Sequence, residues 1–320
     1  MNTTSSLSAD GPKSSSNLAD EVQTLLCRLS DDTEDFIRSV YVQLKRSPVI
    51  VLYTDEQIDD LRLLCTQDCP SALRSVLSVD RTFNLSSLYV TVMVYRNRKA
   101  VRKCNQEPPI FIGPIMLHGD GRFATYHHFF SAISAALNGT ALASSELVCD
   151  GLVVGSDEEL AMVSAAKSAF PRANHLFCML HCKDNVRQHL SSVGIPTNVR
   201  ENVISHLFGA AGVVESPDED TQDDRIADTL QYVRQNAGDA ATYIQERILP
   251  KITDNNRLKW RETWLGQHQW TNNNSESANS LLKLQVCQRI RTRFTAAQLC
   301  TKLYKLLCCY VAKELNVFVS

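Results

Sequence analysis

The order of strand-like and helical segments between residues 75 and 183 constrains the fold of this chain more than any other feature. Short apolar runs rich in β-branched residues and longer runs with helical spacing follow one another as β-β-β-α-β-α-β. These segments are residues 76–82, 88–95, 110–117, 123–137, 147–154, 158–170 and 175–180. The short connection between the first two favours antiparallel pairing. The order predicts an α/β fold in which a mixed sheet carries helices on its faces.

The region before this block combines a polar tail with a mainly helical segment. Residues 1–20 are rich in Ser, Thr and Asn without an apolar period, and we expect them to be disordered. Residues 21–46 place apolar side chains at helical spacing, and residues 48–53 form a β-branched run. A capping box beginning at Thr54 then opens a further helix. The prediction for residues 21–74 is therefore a helical N-terminal segment with one short strand.

Helical spacing continues through the C-terminal half of the chain. Residues 184–262 have it throughout, interrupted by an acidic stretch at residues 215–224 and by Pro250. We interpret this region as a helical insertion within the fold rather than an independent domain. Residues 75–183 would then form the first part of the core, and residues 263–320 would complete it. The closing helices are predicted at residues 273–287 and 295–315.

Composition narrows the class of protein. The 320 residues are 44% hydrophobic, enough to bury a sizeable core. No apolar run approaches the roughly 18 to 20 residues that span a bilayer, and no signal peptide is evident, so we expect a soluble protein without a membrane partner. The 11 cysteines lie scattered in apolar surroundings, which is typical of reduced thiols in an intracellular protein.

Positive charge is concentrated in two segments, although the formal net charge is only −2. Residues 81–103 contain no acid, and the chain after Glu276 is also strongly basic. Such segregation can give a near-neutral protein one phosphate-facing side, although each cluster could equally be solvated surface charge. The basic residues that we select as candidate DNA contacts are Arg81, Arg96, Arg98, Lys99, Lys283, Arg289, Arg291 and Arg293.

Three acidic residues occupy separate predicted elements. Asp80 interrupts the first apolar strand, Asp157 follows the fourth, and Glu276 lies in the first turn of a closing helix. A carboxylate inside an apolar strand is costly unless it is paired or bound to a metal. If the three converge, they could hold two divalent cations, Mg²⁺ or Mn²⁺, around one phosphate. They are therefore the candidate catalytic and metal-binding residues.

Each acid also has a structural explanation. Asp80 could face water if its strand lies at the edge of the sheet. Asp157 could cap the helix that follows it, and Glu276 could complete a capping box with Asn273. Asp150 is a competing acid in the same strand, but it lies too far before Asp157 for both to be expected in one site.

The sequence Cys178-Met-Leu-His181 lies between the last two acids. With His175 and Cys182 nearby it could form half of a zinc site. No second Cys/His pair with ligand spacing is found apart from an isolated Cys-x3-Cys, so we do not expect structural zinc. A Cys–His nucleophile would need an oxyanion hole, for which the sequence gives no sign. We expect Cys178 to be a buried thiol in a strand and His181 to be a polar contact near the active site.

Five short motifs follow one another in a distinctive order over about residues 45–290. They are Tyr53-Thr-Asp-Glu-Gln57, Val79-Asp-Arg-Thr-Phe-Asn84, Gly155-Ser-Asp157 with Phe170-Pro171, His175-Leu-Phe-Cys-Met-Leu-His181 through Asn185, and Trp270-Thr-Asn-Asn-Asn-Ser-Glu-Ser277 with Asn279. Each motif is short, but their order and the helical stretch before the last acid make the combination specific. This combination resembles the transposase domain of Mutator-like elements.

The resemblance implies a DDE-type transposase with a ribonuclease H-like fold, whose element order is the one given above. Asp80, Asp157 and Glu276 match its three acids, and Cys178 and His181 match its C-x2-H signature. Two Mg²⁺ or Mn²⁺ ions would support cleavage at the element end and strand transfer into target DNA. The implied partners are transposon ends and target DNA, the implied location is the nucleus, and a homo-oligomer is left open.

Other functions remain open alongside this one. Family members often carry an N-terminal zinc-binding DNA-recognition module and a C-terminal Cys/His motif. Residues 1–44 lack the spacing of the first, and the second is not visible before Ser320. The chain could therefore be a fragment, a decayed copy, or a domesticated protein that binds DNA or other partners without cutting. A ribonuclease H-like nuclease without strand transfer is the third alternative.

Overall fold

The protein is built on one mixed sheet of seven strands. The structure, a computed structural model, describes residues 18–31, 36–42, 46–85, 88–102, 105–139, 151–254, 258, 269–287 and 294–315. Its strands are β1 (Ile37–Tyr41), β2 (Val49–Leu52), β3 (Leu77–Leu85), β4 (Leu88–Arg96), β5 (Ile110–His118), β6 (Val153–Ser156) and β7 (Asn174–Phe177).

The strand order across the sheet is β1-β2-β5-β4-β3-β6-β7. Pairing is antiparallel from β1 to β3 across this order, and β3–β6 and β6–β7 are parallel. Asp80 pairs with Val92 of β4, and on the other side of β3 Ser78 pairs with Gly155 of β6. The predicted α/β fold with a mixed sheet is therefore confirmed, and β3 lies in the interior of the sheet.

Helices cover both faces of the sheet. They are α1 (Leu18–Leu29), α2 (Asp55–Cys65), α3 (Phe123–Asn138), α4 (Leu160–Ala169), α5 (Met179–Ser192), α6 (Thr197–Phe208), α7 (Glu219–Asn236), α8 (Ala241–Tyr243), α9 (Leu249–Asp254), α10 (Asn273–Cys287) and α11 (Ala296–Leu315). In the described ranges, none of these helices combines the length and the apolar character needed to cross a membrane.

The sheet separates two hydrophobic cores, because successive side chains along a strand point to opposite faces. Val79 packs in the core formed with α2, α3 and α4, whereas Val90 and Val92 pack in the core formed with α1, α10 and α11. Asp80 follows Val79 and therefore faces α10. This alternation decides which helix can reach the acidic side chain.

The described residues after 184 form a mainly helical region, as predicted, in which α5–α9 pack around a core of their own. The acidic stretch, however, interrupts it less than predicted. Asp218 caps α7 by accepting a hydrogen bond from the Thr221 N–H at 2.7 Å, so residues 219–224 already belong to the helix. Pro250 does not interrupt the helical conformation either, because a wider π-helical turn at Ile244–Ile248 precedes it and leaves room for its ring.

The helical prediction for residues 21–46 is wrong after Leu29. The apolar residues that follow instead form β1, which pairs with β2 and extends the sheet. Phe36 and Ile37 are buried in the core formed with α1, α10 and α11. A short run of β-branched and aromatic residues fits both periods, and backbone hydrogen bonding to an available strand edge decided between them. The helix after Thr54 is α2, and its capping box is present as predicted.

Candidate functional site

Asp80 is an acidic side chain in the middle of an interior strand. Its Oδ2 accepts a hydrogen bond from the Asn279 Nδ2 at 2.6 Å, and its Oδ1 accepts one from the Arg81 backbone N–H at 2.9 Å. Because β3 is flanked by β4 and β6, the explanation of Asp80 as a sheet-edge residue facing water is wrong. The carboxylate is held between the sheet and α10.

Asp157 lies beside Asp80 because β3 and β6 are parallel. The paired residues Ser78 and Gly155 each stand two positions before one of the acids, so the two carboxylates leave the sheet at the same level. Burial and then the nearby charge of Asp157 raise the pKa of Asp80 to about 6. Two repelling carboxylates in one place are what a divalent cation would stabilise.

Asp157 also has a local contact, although it does not cap α4. The N-cap residue of α4 is Glu159, which has no capping side-chain bond. The Asp157 Oδ1 accepts the Glu159 backbone N–H at 3.2 Å, in the turn that leads into the helix. One Asp157 oxygen therefore shapes the turn, and this contact is compatible with a second role for the carboxylate.

Glu276 lies in the first turn of α10, as predicted, on the face of the sheet to which Asp80 points. Its Oε1 is 3.7 Å from the Nε2 of His181, and both side chains are about half exposed. The predicted capping box with Asn273 is not the arrangement found, because Asn273 is already helical and the Glu276 N–H bonds to the Asn272 carbonyl. One helical turn later, Asn279 holds Asp80.

Cys178 and His181 join α5 to the acidic cluster, but not from a strand as predicted. β7 ends at Phe177, Cys178 is the N-cap of α5, and His181 lies in its first turn. Burial raises the pKa of Asp80, and the charge of His181 opposes a small part of that rise, so the two side chains are close. The Cys178 Sγ accepts the Asn272 backbone N–H at 3.3 Å, and burial raises the pKa of this thiol. Cys178 is thus a structural contact between α5 and α10.

Sequence reasoning missed the contact that holds α10 against β6. The indole ring of Trp270 lies directly over Gly155, where an added Cβ would collide with it. Trp270 is 4% exposed and packs with Val76, Val153 and Cys178. The signal was present as a glycine inside a buried strand, which often marks a close approach by a neighbour. This contact fixes the approach of the segment that carries Glu276.

A second missed contact links the helical insertion to the site. The Glu158 Oε2 forms an ion pair with the Lys251 Nζ at 2.8 Å and accepts a hydrogen bond from Asn185 at 3.1 Å. Glu158 immediately follows Asp157, so α5 and α9 together hold the turn on which Asp157 stands. Such a link joins residues far apart in the chain and has no local sequence pattern.

The oxygen atoms of these side chains are of the chemical type that binds a hard divalent cation. Asp80, Asp157 and Glu276 supply carboxylate oxygens, and Asn279 contributes a buried Oδ1 without a hydrogen-bond partner. Within the part of the chain that the structure describes, no group of three or more acidic, His or Cys side chains is already drawn together around one point. The residues present therefore fit such an ion by type and charge, with Glu276 turned toward His181.

The candidate basic residues divide into several environments. The guanidinium of Arg81 points to the opposite face of the sheet, 3.3 Å from Glu159 and over the ring of Tyr89. Arg96 and Arg98 line a cavity beside the start of α10, and Lys99 and Lys283 are exposed. The remaining candidates Arg289, Arg291 and Arg293, and the competing acid Asp150, lie outside the described residues.

Comparison with known proteins adds no family assignment. No protein-family model matches the chain, and no curated protein is significantly similar to it.

Proposed function

We propose that this chain is the catalytic domain of a DDE-type transposase, which cleaves DNA and transfers the cut strand to target DNA. The observation that carries the proposal is the proximity of Asp80, in β3, to Asp157, directly after the parallel strand β6, with Glu276 and His181 beside them. Two acids at neighbouring strand positions and a third on a helix provide the donor types used in metal-assisted phosphoryl transfer.

The sheet supports a ribonuclease H-like fold as the finer description. Its part β5-β4-β3-β6-β7 has antiparallel pairing between the first three strands and parallel pairing between the last three. In chain order this corresponds to 3-2-1-4-5, the arrangement expected for that fold. β1 and β2 would be additions at the β5 edge, and the helical insertion precedes α10, which carries the last acid.

The mechanism assigns separate roles to the residues of the site. Asp80, Asp157 and Glu276 would hold the divalent cations, which when bound supply charge stabilisation and an activated oxygen. Asn279 keeps the Asp80 carboxylate in place through its N–H donor. His181 lies 3.7 Å from the Glu276 carboxylate and would accept the proton of the attacking oxygen. In cleavage, the water oxygen bonds to phosphorus as the 3′ oxygen leaves. In transfer, that 3′-OH attacks the phosphorus of a target phosphodiester, and the 3′ oxygen of the target strand leaves.

Nicking of supercoiled plasmid tests this proposal. With Mg²⁺ or Mn²⁺ the wild type is expected to convert supercoiled to open-circular DNA, and Asp157→Asn should reduce the rate by at least about a thousandfold, the scale lost when a catalytic group is removed. Glu219→Gln, which removes an exposed acid from α7, is the matched control and should keep the wild-type rate. Equal nicking by wild type and Asp157→Asn would show that the assigned site does not cut DNA.

A non-cutting, DNA-binding or interaction protein derived from such an enzyme is the second candidate. It is favoured by the position of Glu276 beside His181 rather than in a completed group of three ligands among the described residues. Duplex binding without metal-dependent nicking by the folded wild type would select it.

A ribonuclease H-like nuclease is separated from a transposase by a joining assay, because only strand transfer links a cut 3′ end to a second DNA. A nuclear location and a homo-oligomer belong to the transposase proposal.

A further inference from the structure

A cavity of about 490 Å³ opens beside the first turn of α10. It is lined by Ser75 and Val76, which precede β3, by residues at and beyond the end of β4, and by the segment from Gln269 to Asn274. Val76 precedes Asp80 by four positions, which corresponds to about 13 Å along an extended strand. The cavity is therefore separate from the acidic cluster, although α10 borders both.

Two arginines give the cavity its chemical character. Arg96 donates from Nε and Nη2 to the Asn274 Oδ1 at 3.0 and 2.9 Å, which fixes its guanidinium at the wall. Arg98 lines the same space, and burial together with the charge of Arg96 lowers the pKa of Arg98 to about 10. Two partly desolvated like charges repel each other, and an anion between them would relieve that repulsion.

Among the described residues that line the cavity, the arginines outnumber the acids. Glu107 is the acidic residue in its lining, with a carboxylate oxygen 3.9 Å from the Arg96 Nη1. That carboxylate is 61% exposed, so water screens it more than the arginines. Burial lowers the pKa of Arg96, the charge of Glu107 opposes this change, and the charge of Arg102 adds to it. Among the described charged side chains at this cavity, positive charges exceed negative ones.

The N-terminus of α10 adds donors to the same wall. Asn273 and Asn274 are the first two residues of this 15-residue helix and both line the cavity. The N–H groups in the first turn of a helix have no intrahelical acceptor, and the helix dipole favours negative charge there. Two guanidinium groups and a helix N-terminus around one space are a combination suited to a phosphate group.

We propose that this cavity binds a phosphate group through Arg96, Arg98 and the first turn of α10. The phosphate chemistry follows from the lining alone, whereas its identification as a phosphodiester of DNA rests on the proposed function. A spacing of about 13 Å along β3 corresponds to about four nucleotides of one strand. A phosphate bound here would fix α10, which carries Glu276 and Asn279, and would hold DNA that extends from the acidic cluster.

Binding of a short DNA duplex, measured without divalent cations in an Asp80→Asn background, tests the site while cutting is disabled. Arg98→Ala should weaken binding several-fold and reduce the slope of log affinity against log salt by about one. Arg98→Lys should keep the slope because it keeps the charge, while losing part of the affinity. Arg234→Ala removes an exposed arginine from α7 and is the matched control, with affinity within about twofold of the parent.

Asn274→Asp provides a second variant that keeps Arg96 paired. The new carboxylate would compete with an incoming anion, so this variant should bind the duplex more weakly while unfolding at the parent temperature or above it. Arg98→Ala and Asn274→Asp variants that both bind like the parent, with unchanged salt slopes, would overturn the proposal.

Inorganic phosphate distinguishes the two sources of the ligand. If the DNA backbone is the ligand, phosphate at millimolar concentration should compete with the duplex in the parent and compete less in Arg98→Ala. If titration detects phosphate binding that requires Arg98 while duplex affinity is unchanged by the substitution, the cavity takes a free phosphate compound, and only the DNA assignment is lost. Arg98-dependent binding by a wild type that never nicks DNA would refute the transposase proposal and leave the phosphate site intact.

Discussion

At the scale of single residues, the unusual side chains are polar groups placed where the sheet is most buried. Asp80 is accommodated because Asn279 and a backbone N–H donate to it. His118 is a second case, at the end of β5. It is fully buried, its Nδ1 lies 2.6 Å from the Asp120 carbonyl oxygen and its Nε2 lies 2.8 Å from the Thr91 hydroxyl. These contacts suit the neutral imidazole, with the Nδ1 as the donor to the carbonyl.

His118 should make the fold sensitive to acid. Burial lowers the pKa of His118 from 6.5 to about 4, against the effect of its bond to the Asp120 carbonyl. The unfolded chain therefore binds more protons between these values, so the stabilisation is complete above about pH 6.5 and is lost as the pH falls to about 4. The contribution of His118 to the free energy of unfolding should fall by about 3 kcal/mol over this pH range.

Chemical denaturation of the wild type and His118→Gln across this pH range checks the prediction. The free energy of unfolding of the wild type should fall relative to that of the variant as the medium is acidified. Taking this difference cancels contributions from His175, whose pKa is also lowered to about 4, and from Asp80, whose raised pKa acts in the opposite direction. A constant difference between the two proteins from pH 7 to pH 4 would contradict the prediction.

At the scale of elements, the site depends on how α10 approaches the sheet. The segment before it is held by Trp270 over Gly155 and by the bond from the Asn272 N–H to Cys178. β6 can accept an indole ring at this position because Gly155 has no side chain. The elements themselves were largely predictable, since α10 spans the predicted residues and β4 and β5 differ from prediction by a single residue. The contacts of the segment that leads into α10 were not, because they join residues 94 or more positions apart in the chain.

Gly155→Ala should destabilise the fold by about 1 to 3 kcal/mol, because the added methyl group meets the Trp270 ring. Trp270→Leu in the same chain should recover part of that loss by making room, so the double variant should be more stable than the sum of the two single effects. Gly238→Ala is the matched control, since a Cβ there meets nothing within 4 Å. Denaturant midpoints of the wild type, the two single variants, the double variant and the control give the changes in stability. Strictly additive effects of the two substitutions would show that the ring and the strand are not in contact.

At the scale of the whole molecule, four elements from different parts of the chain meet at one place. β3 and β6 bring Asp80 and Asp157, α5 brings His181, and α10 brings Glu276. The helical insertion also contributes, because Lys251 of α9 pairs with Glu158 in the turn that carries Asp157. Binding of a cation at this junction would therefore stabilise the fold as a whole.

Mg²⁺ or Mn²⁺ should raise the thermal unfolding temperature of the wild type. A cation at about a hundred times its dissociation constant adds about 3 kcal/mol to the stability of a chain that binds it only when folded. Asp80→Asn should be more stable than the wild type in chelator, because it removes the repulsion with Asp157, and should gain little from the cation. Glu219→Gln should respond as the wild type does, and equal shifts in all three proteins would indicate cation binding outside the acidic cluster.

The sequence by itself determined the elements and the candidate acids. Hydrophobic period, the capping box at Thr54 and the polar interruption at Asp80 are local signals, and local signals specify helices and strands. They did not separate strand from helix near Ile37 or place Cys178 at a helix N-terminus, because strand pairing and chain reversal decided both. Only the tertiary structure set the register of Ser78 with Gly155, which aligns Asp80 with Asp157, and the approach of α10, which forms the arginine-lined cavity. Those features depend on packing between distant segments, which no local pattern encodes.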